Sequence, residues 1–183
     1  MPYDEEFVMS ILEIKLKDNP ILRRKCSPVK VIDRKVRRLL DDMLETMYKA
    51  PGVGLAAPQV GINKRLVVID VGEEGHGPWK LINPRIVEMS DEEENGSEGC
   101  LSCPGLVGDV WRATKVKVQA YDCDGNKIYI DAEGFEARCF QHELDHLDGR
   151  LYIDIAENVR PVSEDDIEAE GEEGEEVEAA PEA

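Results

Sequence analysis

Between Asp33 and about Lys49 the apolar positions Val36, Leu39, Leu40, Met43, Leu44 and Met47 recur three and four residues apart with charged residues between them. That spacing gathers side chains on one helical face, so an amphipathic helix is expected there. Asp33 is its N-cap, since a carboxylate at that position accepts from the unpaired amides of the first turn. The methionines of the stripe read as core filler rather than ligands. Pro51 and the glycines after it end the helix and open a loop, GVGLAAPQVG, at 52 to 61. The period then changes. RLVVID at 65 to 70, WKLINPRIVEM at 79 to 89, TKVKVQAY and KIYID read as strands, the last two joined as a hairpin through Asp124 and Gly125. Strict alternation in TKVKVQAY puts Val116, Val118 and Ala120 on one face. GEEGHG at 72 to 77 and DEEENG at 91 to 96 read as exposed connectors, which makes His76 a solvated surface residue. A second helix is expected from Gly134 or Phe135 to Leu147, stopped by Asp148 and Gly149. The expected fold class is α+β, with mixed or antiparallel strands packed around this second helix.

Composition narrows the class. A chain of 183 residues, 42% of them hydrophobic, can build one core but not comfortably two, so a single domain over residues 1–160 is expected. Its apolar runs are too short to cross a bilayer, and the stretch MPYDEEFVMS is acidic where a secretory signal is basic and then apolar. Neither membrane contact nor export is expected. Five cysteines are an odd, scattered set that suits reduced thiols better than a disulfide framework, and this points to the cytoplasm. The net charge of -18 is uneven: eleven acids and no base fall between Pro161 and Ala183, so the body carries only -7. Body and tail being both acidic, DNA phosphates would be repelled. The segment 161–183 is Glu, Ala and Gly with almost no large apolar residue, and it is expected to stay disordered because it has no surface to bury against the entropy of ordering.

The chemistry-bearing residues cluster in two segments. In His142-Glu143-Leu144-Asp145-His146 the two imidazoles lie one helical turn apart, the spacing that chelates one cation, and Glu143 flanks that face as a general base. Two histidines need a further ligand, and the strongest donors elsewhere are Cys100 and Cys103 in EGCLSCP. Three readings remain open on the residues alone. All four residues make a closed Cys2His2 structural zinc site, or Cys100 alone joins the histidines and leaves a position open for water, or the pair is a redox CxxC. The second reading uses Glu143. A zincin-like peptidase would use the same helix but leaves the cysteine segment unexplained. The GxGxxA look of residues 52 to 57 does not make a dinucleotide loop, because it follows a helix rather than a strand.

Three segments in order, GVGLAAPQ at 52 to 59, EGCLS at 98 to 102 and QHELDH at 141 to 146, resemble the peptide deformylase family of bacterial type. The resemblance covers the chain to about Ile155. It implies hydrolytic removal of the formyl group from N-formylmethionyl peptides as they emerge from the ribosome, with at most transient ribosome contact. It also implies one divalent metal, ferrous iron by family habit, with Zn(2+), Ni(2+) or Co(2+) as alternatives. Carried over residue by residue, it implies that Cys100, His142 and His146 are metal ligands around an open water position and that Glu143 is the proton carrier. The backbone amide of Leu101 and the side-chain amide of Gln59 would stabilise the oxyanion, a kind of contact whose loss costs about a hundredfold or more. Backbone near Gly54 would pair with an extended substrate, and Val53, Phe135, Arg138 and Cys139 would surround the methionine side chain. Cys103 departs from the family pattern, which has an aliphatic residue there, and its spacing permits a disulfide with Cys100.

Overall fold

A computed structural model describes residues 10 to 163 and Asp166. Helix α1 (Arg34–Lys49) begins where the Asp33 carboxylate accepts from the Val36 amide at 3.0 Å. Its stripe of Leu40, Met43 and Met47 is fully buried, and truncating any one of them to Ala should cost roughly 2 to 5 kcal/mol. The stripe packs on β1 (Gly54–Ala56) and β2 (Leu66–Ile69), the first strands of a five-stranded antiparallel sheet completed by β3 (Trp79–Met89), β6 (Lys115–Tyr121) and β7 (Lys127–Glu133). The sheet order is β1-β2-β3-β6-β7, which leaves β1 at an edge. Every residue of β2 is buried, because Leu66 and Val68 face α1 while Val67 and Ile69 face the other helix, α2 (Gly134–Leu147). The uninterrupted apolar run LVVI is thus the mark of a strand covered on both faces. Helix α2 presents Ala137, Phe140, Leu144 and Leu147 to that second face, where Val116, Val118 and Ala120 meet them as the alternation requires.

A second sheet holds β4 (Glu93–Glu98), β5 (Leu106–Ala113) and β8 (Glu157–Pro161) in that order. Beneath it Leu22, Cys103, Val110, Leu151 and Tyr152 form a third core. The architecture is therefore mixed α+β with antiparallel sheets and two helices.

Three local expectations are corrected. DEEENG is not a loop beyond Glu92: Glu93 onward forms β4, which pairs residue for residue with β5 from Glu93↔Ala113 to Glu98↔Gly108. Polar residues occupy it because it is an exposed sheet edge, and its carbonyls at Glu94 and Gly96 accept from the Arg138 guanidinium. The stretch 52 to 61 contains β1 and a 3-10 turn, Ala57–Val60, rather than free loop. The chain also stays tied to the body past residue 160, since Pro161 pairs with Leu106 and the Val162 amide donates to Gly105. Most of the acidic tail lies outside the described residues. His76 exposes most of its side chain, yet its Nδ1 lies 3.0 Å from Glu136 Oε2. Among the described residues no helix is long and apolar enough to cross a membrane.

Candidate metal centre

Helix α2 is locked to β5 by Gln141, whose Nε2 donates to the Ala113 carbonyl at 2.8 Å while its Oε1 accepts from the Ala113 amide at 3.0 Å. One turn of α2 separates His142 from His146, and their rings meet edge to face with centroids 5.1 Å apart. Cys100 follows β4 in a turn closed by the Cys103 amide donating to the Cys100 carbonyl at 2.9 Å. The Cys100 thiol and one nitrogen from each histidine lie within 4.8 Å of one another, with Cys100 Sγ 3.4 Å from His146 Nε2. Cys103 is not in that group; it is buried among the apolar residues of the third core.

The second layer of contacts fixes the donors. His142 Nδ1 donates to Glu98 Oε2 at 2.9 Å, which leaves its other nitrogen as the one with a lone pair for the site. Glu98 can act as acceptor because it stays ionised. Burial would raise its carboxyl, but hydrogen bonds from Arg112 and His142 outweigh that and lower it to about 2. Arg112 grips it with two parallel bonds of 2.8 and 3.0 Å and passes its third donor to Asp145 at 2.7 Å, while Arg138 adds another at 3.0 Å. Burial pushes the imidazole of His146 well down toward its neutral, ligating form. The His146 Nδ1 and Glu143 Oε2 atoms are buried without a hydrogen-bond partner. Burial lifts the Glu143 carboxyl to about 7 in the metal-free protein.

A soft sulfur donor with two imidazole nitrogens, beside a buried carboxyl oxygen that has no hydrogen-bond partner, fits a divalent transition metal with room left in its coordination sphere.

Gln59 is held with its amide nitrogen toward the site. Its Oε1 accepts from the Ala56 amide at 2.9 Å, and its Nε2 donates to Ser102 Oγ at 3.2 Å and lies 3.4 Å from Cys100 Sγ. The N-terminal segment braces both sides of this arrangement, since Lys15 donates its amide to the Gln59 carbonyl and Lys17 to that of Ser102. Gly54 abuts Glu143: a Cβ on Gly54 would collide with Glu143 Oε1 and lie 2.8 Å from its Cδ. A Cβ on Gly52 would press on Leu101 Cδ1 at 2.7 Å. Val53 and Phe135 are exposed and Cys139 is buried. Arg138 spends its guanidinium on Glu98 and on the carbonyls of Glu94, Gly96 and Val110. Glu98, Arg112 and Ser102 escaped the reading of the sequence. Glu98 and Ser102 sat unremarked inside EGCLS, and Arg112 carries no signal in a strand that itself went unrecognised.

The polypeptide deformylase family model matches residues 11–162. The chain belongs to this family. A peptide deformylase of Symbiobacterium thermophilum is 57% identical over 175 residues, covering 96% of this chain and 80% of that one. Another, of Natranaerobius thermophilus, is 52% identical over 151 residues, covering 82% of this chain and 96% of its own length. Among solved structures, the Thermotoga maritima peptide deformylase superposes with a TM-score of 0.77 at 41% identity, over 80% of this chain and 98% of that chain. The Synechococcus elongatus peptide deformylase, crystallised with actinonin, gives 0.78 at 42% identity, over 86% of this chain and 85% of that chain. A deformylase is a hydrolase of protein biosynthesis, and its family works through a metal.

Proposed function

We propose that Cys100, His142 and His146 hold one divalent metal and that Glu143 carries the protons in hydrolysis of the formamide bond of N-formylmethionyl polypeptides, releasing formate. The observation that supports this most is the gathering of one thiol and two imidazole nitrogens within 4.8 Å, with the unpartnered Glu143 Oε2 beside them. Ferrous iron is the proposed occupant, with zinc, nickel and cobalt compatible with the same donors. Bound there, the ion supplies Lewis acidity that makes water nucleophilic near neutral pH and polarises the formyl oxygen.

Glu143 takes the water proton on its carboxylate and returns it to the departing amine nitrogen. The Gln59 Nε2 and the Leu101 amide donate to the oxygen on which negative charge develops, and the Gln59 amide is already held by the Ala56 amide and Ser102 Oγ. Glu98, clamped by Arg112, keeps His142 in one tautomer and one orientation. Because β1 is a sheet edge, an extended peptide can add beside Gly54 as one more strand, with main-chain bonds giving affinity. Val53 and Phe135 then offer apolar surface to the methionine side chain, with the buried Cys139 and Arg138, which braces β4 and β5, as the other residues proposed around it. In this reading α2 is the central element around which the sheets assemble the site, and the enzyme works in the cytoplasm with only passing contact with the ribosome.

The test is formate release from formyl-Met-Ala-Ser by protein prepared without oxygen, compared with cleavage of an internal peptide bond. Formate without internal cleavage is expected. Internal cleavage without formate would replace this reading with a peptidase.

A further inference from the structure

The sequence carries a second thiol, Cys103, for which neither the ligand group nor the proton-transfer machinery has a use. It sits three residues after Cys100 across a closed turn, so the two α-carbons lie in the distance range of a β-turn, about 7 Å or less, which overlaps the range that disulfides span. Both thiols belong to this one closed turn. Their exposure is unequal. Cys100 is half-buried at the site, whereas Cys103 is only 1% exposed, packed with Leu22, Val110, Leu151 and Tyr152. A small oxidant entering the site therefore meets Cys100 before Cys103. The remaining cysteines, Cys26, Cys123 and Cys139, are also free thiols, but no comparable turn joins any of them to Cys100.

We propose that Cys100 and Cys103 form a reversible modification site, in which Cys103 resolves peroxide-oxidised Cys100 as an intramolecular disulfide. In the first step the Cys100 sulfur attacks hydrogen peroxide and the O–O bond breaks. One oxygen stays on sulfur as the sulfenic acid and the other leaves as water. In the second step the Cys103 sulfur attacks Cys100 Sγ, the S–O bond breaks, and the departing hydroxide takes the Cys103 proton and leaves as a second water. Two electrons have passed from the thiol pair to one peroxide. A dithiol reductant reverses the disulfide by exchange, whereas a sulfenic acid with no neighbouring thiol is open to irreversible oxidation to sulfinic and sulfonic acids. A disulfide sulfur is no longer a thiolate, so bridging also ejects the metal. That consequence rests on Cys100 being the ligand proposed above; the bridge itself does not.

The experiment titrates hydrogen peroxide into the zinc-loaded enzyme, zinc being redox-inert. It compares the unaltered chain with Cys103→Ser and, should that variant fold poorly, with Cys103→Val. Intact mass, free-thiol count, peptide mapping and released zinc are followed. In the unaltered chain, loss of two thiols and two hydrogens without added oxygen is expected, with the bridge mapped to Cys100 and Cys103 and reversed by dithiothreitol. The variants should instead gain two or three oxygens at Cys100 that dithiothreitol does not remove. Oxygen accumulating at Cys100 equally in all three proteins, or a bridge mapped to another cysteine, overturns the proposal. A Cys100–Cys103 bridge that forms while zinc stays bound supports the pairing and contradicts the ligand role of Cys100 instead.

Discussion

Gly54→Ala adds one methyl at a point where β1 runs against the carboxyl of Glu143. The residue is not among those with positive φ, so the backbone accepts alanine without strain and the whole effect comes from the new atom. That atom would lie 2.8 Å from both Cγ and Cδ of Glu143 and still closer to Oε1, whereas ordinary contact begins near 3.4 Å. Glu143 is a flexible side chain with an unbonded carboxylate oxygen, so it can give way, but only by moving the carboxyl group roughly 1 Å, a misplacement that costs on the order of a hundredfold in rate. The backbone N–H and C=O of residue 54 survive the change, so peptide pairing at the sheet edge is kept. Steady-state formate release should therefore show kcat down about a hundredfold with KM changed far less, while metal content and melting temperature stay close to those of the unaltered chain. An unchanged kcat would refute the claim that Glu143 must occupy this position, and a rise in KM alone would make Gly54 a binding residue only.

Cys100→Ser should lose most of its metal, because a hydroxyl replaces a soft anion, and Cys103→Ser should keep it. Equal loss from both, read by metal analysis, would restore the closed four-ligand site. In the metal-free protein burial raises Glu143 from 4.5 to about 7, so the folded state holds a proton that the unfolded state has released between those values. Its contribution to stability is complete below about pH 4.5 and is lost as pH rises through about 7, a change on the order of 3 kcal/mol. Metal-free Glu143→Gln should accordingly lose less melting temperature than the unaltered chain between about pH 5 and pH 8, and parallel curves would contradict this. Ending the chain after Asp166, which accepts from Ser163 and pairs with Arg160, should leave melting temperature and activity on short formyl peptides unchanged. A clear fall in either would show the acidic tail contributing to the fold.

The helices were legible because their apolar spacing and caps are local signals: Asp33, Gly149 and the stripe of α1 stand in the sequence as they function in the fold. The hairpin of β6 and β7 was legible for the same reason, through alternation around Asp124 and Gly125. The second sheet was not. In EENGSE no alternation exists, since this edge strand is ordered by β5 and by a guanidinium from α2, over 40 residues away. The ion network behind the site is equally non-local. Arg112 meets Glu98 across 14 residues and Asp145 across 33, distances at which no spacing rule applies. Gly54 showed that a small residue was wanted, but that the reason is the Glu143 carboxyl emerges only once β1 lies on α2.

In the proposed site a metal held by three side chains works with a carboxyl that moves protons without binding the ion. Glu143→Ala tests it most directly, by metal stoichiometry and formate release measured on the same preparation. An unchanged metal content is expected, with formate release lowered by a factor of about 100 to 10,000. A variant that arrives metal-free, or one that keeps its metal and deformylates near the original rate, would contradict it.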